Sequence, residues 1–316
     1  MTWRRYTPIF LTICMILSGC FPILEKSIAA KRVVLDSPGP KVVLTDYTET
    51  FHWEPVDGAL SYELQLVTPN FDTIRNFIVD SVLKKNQFTY SLRPGWYQWQ
   101  VKALNGSSET PFSKGSFRVD SSSLSSQRVL LSSPNSGIFT NSSPINLSWQ
   151  PLFEATGYQI DLDTAGFSGS GAPAFSYTTS SASIEFTPLA ERSYSWRVKG
   201  LSSSINSQYS AVSSFTFDKT PPHIPVLISP IFGAKPTLPD TLTWGTISDA
   251  ASYKVYLFMS DSVTLYSTLY PLKLSQTNYI FSGGIQNQKI FWSVSASDAA
   301  GNESKLSSKG YFIVGP

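Results

Sequence analysis

The 316-residue chain has two cysteines, Cys14 and Cys20, both within its first twenty positions. No disulfide framework and no thiolate metal site can therefore form in the rest of the chain. Only two histidines are present, His52 and His223, so zinc clusters of the His and Cys type are excluded by number. Charged residues make up 15%, against about 25% in an average soluble domain. Of the 24 Lys and Arg, two are Arg4 and Arg5 in a segment expected to be removed, which leaves 22 basic against 22 acidic residues. A neutral chain without a long basic run has no electrostatic footprint for nucleic acid. No apolar stretch reaches the roughly 20 residues of a spanning helix, which excludes a polytopic membrane protein. What is abundant is different: 41% hydrophobic residues, 14% aromatics and 21 Pro. That content excludes disorder and favours β-structure with frequent turns. At roughly 100–200 residues per domain, the length predicts two or three domains.

The amino terminus has an order of its own. Arg4 and Arg5 precede the apolar run Ile9–Leu17, which is followed by Ser18-Gly19-Cys20. A charged start, an apolar core of about 7–15 residues and small closing residues read as a secretory signal. The ending Leu17-Ser18-Gly19-Cys20 resembles the lipobox of bacterial lipoproteins. That resemblance implies cleavage before Cys20 and three acyl chains on it, with each buried CH₂ contributing about 0.8 kcal/mol to membrane affinity. It also implies a cell-envelope location. Phe21-Pro22 follows the cysteine where an Asp would signal inner-membrane retention, so the outer membrane is favoured.

Beyond the leader, the chain repeats itself. Ser37-Pro38 recurs as Ser133-Pro134 and Ser229-Pro230; Trp53 as Trp149 and Trp244; Tyr62 as Tyr158 and Tyr253. Trp99 recurs as Trp196 and Trp292, and Phe117 as Phe215 and Phe312, so all five landmarks return at spacings of 95 to 98 residues. Within each repeat, apolar residues alternate with polar ones, as in Tyr62-Glu-Leu-Gln-Leu66 and Tyr97-Gln-Trp-Gln-Val101. Alternation with period two predicts strands with one face packed and one face wet. Two such sheets face to face make a sandwich of about 100 residues.

The run Trp53 … Tyr62-Glu-Leu-Gln-Leu66 … Leu92-Arg-Pro-Gly-Trp-Tyr97-Gln-Trp resembles a fibronectin type III domain, as does Trp149 … Tyr158 … Leu189 … Tyr194 … Trp196. The resemblance implies an all-β fold of three tandem immunoglobulin-like β-sandwiches. Tyr97 and Tyr194 match the family's corner tyrosine, five residues after a leucine; the third repeat has Ile290 there. The expected organisation is a signal peptide at 1–19, a tether at 20–31, and sandwiches at 32–120, 128–218 and 224–316. Ser121–Ser126 reads as a flexible linker, and Asp218–Pro225 as a proline-stiffened one. With linkers so short, the repeats are expected to be energetically near-independent.

Residues that suggest chemistry are few. His52, between Phe51 and Trp53, points to the wet face of its strand, and His223 follows two prolines in a linker. Neither is set to act as a base. Asp161 and Asp163 share one outward face and could ligate calcium, but read as solvated strand residues. Gly166-Phe-Ser-Gly-Ser-Gly171 has no following helix to aim amides at a phosphate and reads as a hairpin loop. Trp96, in the Pro94-Gly95 turn, is the candidate ligand-binding residue: an aromatic beside polar neighbours can stack on a sugar or anchor a protein. Its bland alternative is a cap folded over the sandwich end. No catalytic residue, metal or cofactor is predicted. The expected function is a non-enzymatic envelope lipoprotein, anchored through Cys20, that presents its array to a protein or glycan. The alternatives are a structural spacer or an accessory glycan-capture subunit of a polysaccharide uptake system.

Overall fold

The computed structural model describes residues 25–169 and 171–316. Cys20 and the leader lie outside the described residues. The first repeat folds as β1 (Leu35–Ser37), β2 (Val42–Leu44), β3 (Thr48–Trp53), β4 (Ser61–Thr68), β5 (Asn76–Leu83), β6 (Gln87–Ser91), β7 (Gly95–Leu104) and β8 (Ser113–Val119). The second gives β9 (Leu131–Ser133), β10 (Ile138–Thr140), β11 (Ile145–Trp149), β12 (Gly157–Asp163), β13 (Phe175–Thr179), β14 (Ser183–Phe186), β15 (Arg192–Leu201) and β16 (Ser213–Phe217). The third gives β17 (Leu227–Ser229), β18 (Asp240–Trp244), β19 (Ser252–Phe258), β20 (Leu272–Leu274), β21 (Asn278–Phe281), β22 (Lys289–Ser297) and β23 (Gly310–Ile313).

These strands form two sheets per repeat. The smaller sheets run β1-β3-β6, β9-β11-β14 and β17-β18-β21; the larger run β2-β8-β7-β4-β5, β10-β16-β15-β12-β13 and β20-β19-β22-β23. The strand after β4 pairs with β4, not with the three-stranded sheet as in a constant-type immunoglobulin domain. The fold is all-β, three immunoglobulin-like sandwiches of the fibronectin type III kind. One detail escapes the sequence pattern. The chain crosses from the smaller to the larger sheet at the Ser-Pro landmark, so that β10 lies parallel to β16. The third repeat keeps only an isolated parallel bridge, Ala234 to Phe312, at that place.

Each core joins both sheets through the same pair. Trp53 meets Tyr62 edge-on with centroids 5.4 Å apart, Trp149 meets Tyr158 at 5.3 Å, and Trp244 meets Tyr253 at 5.7 Å. Each tyrosine hydroxyl also accepts the backbone N–H of the residue six positions earlier, Val56, Leu152 or Ile247, at 2.9 Å. The core ring thus pins the loop that leads into its own strand. The corner expected of Tyr194 is present too, its hydroxyl donating to the Ala190 carbonyl at 2.9 Å. Gly115 and Gly310 occupy one position of the last strand, where a Cβ would come within 2.6 Å of Trp99 Nε1 and 2.9 Å of Trp292 Nε1.

The described chain divides into two compact units. One holds Thr50–Thr89, Gly95–Arg118 and the chain before Leu44; the other holds Leu44–Glu49, Tyr90–Pro94 and Val119–Pro316. Within the second unit, two expectations are overturned. The segment Ser121–Ser126 is not a flexible linker: Leu124–Ser126 is a 3₁₀ turn capped by Ser123, and Leu124 is buried. Buried Gln127 accepts the Tyr47 N–H at 2.9 Å and donates to the Thr45 carbonyl at 3.0 Å. Serine-rich composition suggested freedom, but the hydroxyls and the Gln127 amide satisfy the backbone instead. Nor are the second and third repeats independent. Buried Asn302 donates to the Asp218 carbonyl at 3.0 Å and to Asp298 Oδ2 at 2.8 Å, and accepts from Asn141 Nδ2 at 3.0 Å.

Two stability predictions follow from these contacts. Trp149→Ala removes a buried ring at a cost of about 3–5 kcal/mol, a large share of the roughly 5–15 kcal/mol of a typical domain. The denaturant midpoint of the second repeat should fall accordingly; an unchanged midpoint would contradict the shared Trp–Tyr core. Asn302→Ala should cost about 1 kcal/mol by removing hydrogen bonds to partly buried partners, and the earliest tryptic cut should move to Lys219.

Candidate functional site

The outer face of the sheet β2-β8-β7-β4-β5 carries the candidate site. Along β7, Tyr97, Trp99, Val101 and Ala103 point into the core. The opposite parity places Trp96, Gln98, Gln100 and Lys102 outward. Trp96 is therefore not a turn residue capping the sandwich end. It is the second residue of a ten-residue strand and is 58% exposed. Its carbonyl accepts a hydrogen bond from Thr68 Oγ1 at 2.7 Å, and the Arg118 guanidinium lies 5.3 Å from its ring centroid.

Next to it, Gln98 Oε1 accepts the Phe71 N–H at 2.9 Å, and Lys114 Nζ sits 5.3 Å from the Phe71 ring. Gln100 Nε2 donates to Gln65 Oε1 at 2.6 Å, and Gln65 Nε2 to Glu63 Oε1 at 2.9 Å. The strip ends at Lys102, paired with Glu63 at 3.1 Å and Glu109 at 3.0 Å. The Glu109 hydrogen bond leads in holding the Lys102 ammonium above its ordinary range, against the opposing pull of burial. The result is an aromatic and amide strip whose rings are held at fixed strand positions. Such a strip can stack and hydrogen-bond a ligand; no nucleophile and base are set against each other in it.

The other residues singled out by sequence fall elsewhere. His52 lies on the wet face of β3, its Nδ1 2.8 Å from Asp36 Oδ2 and its Nε2 3.3 Å from Asn86 Nδ2. His223 is exposed in its linker. The expectation for the two aspartates fails for Asp161, which is only 1% exposed. It accepts from Tyr209 at 2.6 Å, Ser176 at 2.8 Å and Gln159 at 2.9 Å, with Arg197 Nη2 3.7 Å away. Asp163 instead accepts the Ala165 and Phe167 N–H groups at 3.1 and 2.8 Å, closing the turn that opens the Gly166–Gly171 loop. The two carboxylates serve separate structural ends. No group of three or more His, Cys, Asp or Glu side chains gathers for a metal among the described residues.

Sequence reasoning missed Tyr209 and Arg197, which bury Asp161. The guanidinium lies 4.0 Å from the Tyr209 ring and 4.2 Å from the Phe167 ring, with cations stacked over rings gaining about 0.5–2 kcal/mol. Burial pushes the Asp161 carboxyl up, but the hydrogen bonds from Tyr209, Gln159 and Ser176 and the charge of Arg197 outweigh it, so the net shift is downward. Burial and the Asp161 carboxylate together push the Tyr209 hydroxyl up to about 12. Strand parity placed Asp161 outward correctly. Nothing local signals the tyrosine that returns from 48 residues away to cover it.

No family model matches the chain, and no curated protein matches it in sequence. Among solved structures it is similar to the FN1–FN3 domains of chicken CNTN1, at 14% identity and a TM-score of 0.42, over 90% of this chain and 98% of that one. It is also similar to the fibronectin(III)-like modules of Clostridium thermocellum CbhA, at 15% identity and a TM-score of 0.37, over 59% and 94%. The chain is an array of fibronectin type III-like sandwiches. That statement rests on its own paired sheets and cores.

Tyr209→Phe tests the Asp161 cluster. A depressed carboxyl adds stability above the unfolded value near 3.8, and that stability is lost as pH falls through the folded value. The variant should therefore be less stable than the wild type by about 1–3 kcal/mol at pH 7. The gap should close below the aspartate range. Urea unfolding at pH 7 and pH 2.5 measures both; a gap independent of pH would detach Tyr209 from the Asp161 charge.

Proposed function

We propose that this chain is a non-enzymatic lipoprotein of a bacterial envelope, anchored by acyl chains on Cys20, whose sandwiches present binding surface to an envelope protein or glycan. The outer membrane is the favoured location. Anchoring is supported by Leu17-Ser18-Gly19-Cys20 at the end of an apolar run. The observation that carries the binding half is Trp96, an indole left 58% in water on a rigid strand. Exposed tryptophans of this kind are over-represented among residues that dominate interfaces. The neighbouring amide of Gln98 suits a ligand rich in hydroxyls, so capture of glycan as an accessory subunit of polysaccharide uptake is the second reading. A bare spacer has no need of an exposed ring. Neutral overall charge supports a partner other than nucleic acid.

Cys20→Ser should shift the protein from the membrane fraction to the soluble fraction. If it still sediments with membranes after a high-salt wash, the anchor is elsewhere. Trp96→Ala should leave stability within about 0.5 kcal/mol, because the side chain is largely exposed. It should weaken binding to isolated envelope glycan or envelope protein at least tenfold. Undiminished binding to both would remove Trp96 from the binding surface, and no binding of the wild type to either would leave the spacer role.

A further inference from the structure

The larger sheet of the third repeat carries a second outer face of different chemistry. Ile290, Trp292, Val294 and Ala296 of β22 point into the core, so Phe291 and its parity mates face outward. The register sets Phe258 of β19 opposite Phe291, and Phe291 opposite Tyr311 of β23. Three rings thus lie in a row across three strands. The Phe291 and Tyr311 centroids are 5.5 Å apart. Tyr256 extends the row along β19, stacked on Phe258 at 6.3 Å with ring planes 9° apart. Ser293 and Ser295, of the same outward parity, are 0% and 1% exposed, so the rings and long side chains roof the strands. The row spans two strand spacings, about 10 Å.

The charge on this face is one-sided. Lys289 Nζ lies 4.6 Å from the Phe291 centroid and 4.2 Å from that of Tyr311, and Lys309 Nζ lies 4.8 Å from Phe258. Among the described residues, Lys289 has no carboxylate within ion-pair distance. Lys254 and Lys273 stand directly opposite each other on β19 and β20, a like-charge placement that costs a sheet stability. Against these four ammonium groups stand Glu303, which pairs with Lys254 and accepts from Ser295 at 2.6 Å, and Asp261 at the rim, where the Lys309 charge is felt. In a chain with near-zero net charge, the excess of cations is local. The Phe291 and Tyr311 rings, tilted 44° to each other, suit the C–H faces of sugar rings; the lysine tips beside them, Lys309 donating to the Ser262 carbonyl, suit carboxylates carried by those sugars.

We propose that the outer face of β20-β19-β22-β23 binds an acidic glycan, a chain of pyranose units bearing carboxylates. The half-buried Phe291 and Tyr311 rings are its stacking platform, Phe258 at 8% exposure only supports the row, and Lys289 and Lys309 are its counter-charges. This extends the binding role proposed above to a different repeat and a different ligand charge, and does not depend on Trp96.

The test is affinity electrophoresis of the full chain in detergent, through native gels containing polygalacturonate, its fully methyl-esterified form, or poly-L-glutamate. Polygalacturonate should retard the protein, and the other two polymers should do so at least tenfold more weakly. The double variant Lys289→Gln, Lys309→Gln should lose at least tenfold of the retardation, as should Tyr311→Ala at unchanged melting temperature. If Tyr311→Ala melts early, the lysine double variant decides, since it alters only side-chain tips. Cys20→Ser should be retarded like the wild type, so failure of the anchor is read separately. Absence of retardation by polygalacturonate overturns the proposal. Equal retardation by poly-L-glutamate would reassign the face to acidic protein, and equal retardation by the ester would remove the role of the lysines; either outcome also overturns it.

Discussion

The Trp–Tyr pair at the centre of each sandwich is the contact on which the rest depends. The tryptophan comes from the three-stranded sheet and the tyrosine from the larger sheet, so their edge-on contact fixes the separation of the layers. Edge-to-face rings add about 0.5–1.5 kcal/mol beyond the area they bury. The hydroxyl goes further, holding the backbone N–H of Val56, Leu152 or Ile247. A phenylalanine could fill the space but would leave that donor without its partner, in a buried position at Leu152 and partly buried ones at Val56 and Ile247. One residue therefore sets layer spacing and loop path together, which explains why the tyrosine returns three times with its tryptophan.

With the core fixed by that pair, the outer faces were free to diverge. Aligned on Trp99, Trp196 and Trp292, the position three residues earlier is Trp96, Ser193 and Lys289. One residue later than the inward tryptophan stand Gln100, Arg197 and Ser293. The same strand geometry thus carries an aromatic and amide strip, a buried carboxylate under stacked arginine, and a lysine-covered row of rings. These outward positions can vary because packing constrains only the inward ones.

The joints show a related economy. Polar residues that composition assigns to loops, Ser122, Gln127 and Asn302, satisfy backbone groups at the segment ends, and Asn141 bonds the Asn302 side chain. Hydrogen bonds of this sort are individually modest, about 1 kcal/mol net, but each is expensive to break without replacement.

The sequence by itself determined the repeat count, the strand faces and the inward residues. Period-two alternation is a local property, and burial of one face follows from it directly. That is why Trp53, Tyr62, Trp99 and Phe117 and their counterparts were all legible, whereas Trp96 was read as a turn residue because Pro94-Gly95 precede it. The crossing of the first strand between sheets was not legible, because the Ser-Pro landmark marks a bend without saying which sheet receives the chain. Asp161 was read as solvated for a similar reason: parity tells which face a side chain takes, not what else arrives there. Tyr209, Ser176 and Arg197 come from three separate segments, and Phe258, Phe291 and Tyr311 align only through strand register. Those juxtapositions are made by pairing across 15 to 50 residues, and only the tertiary structure decided them.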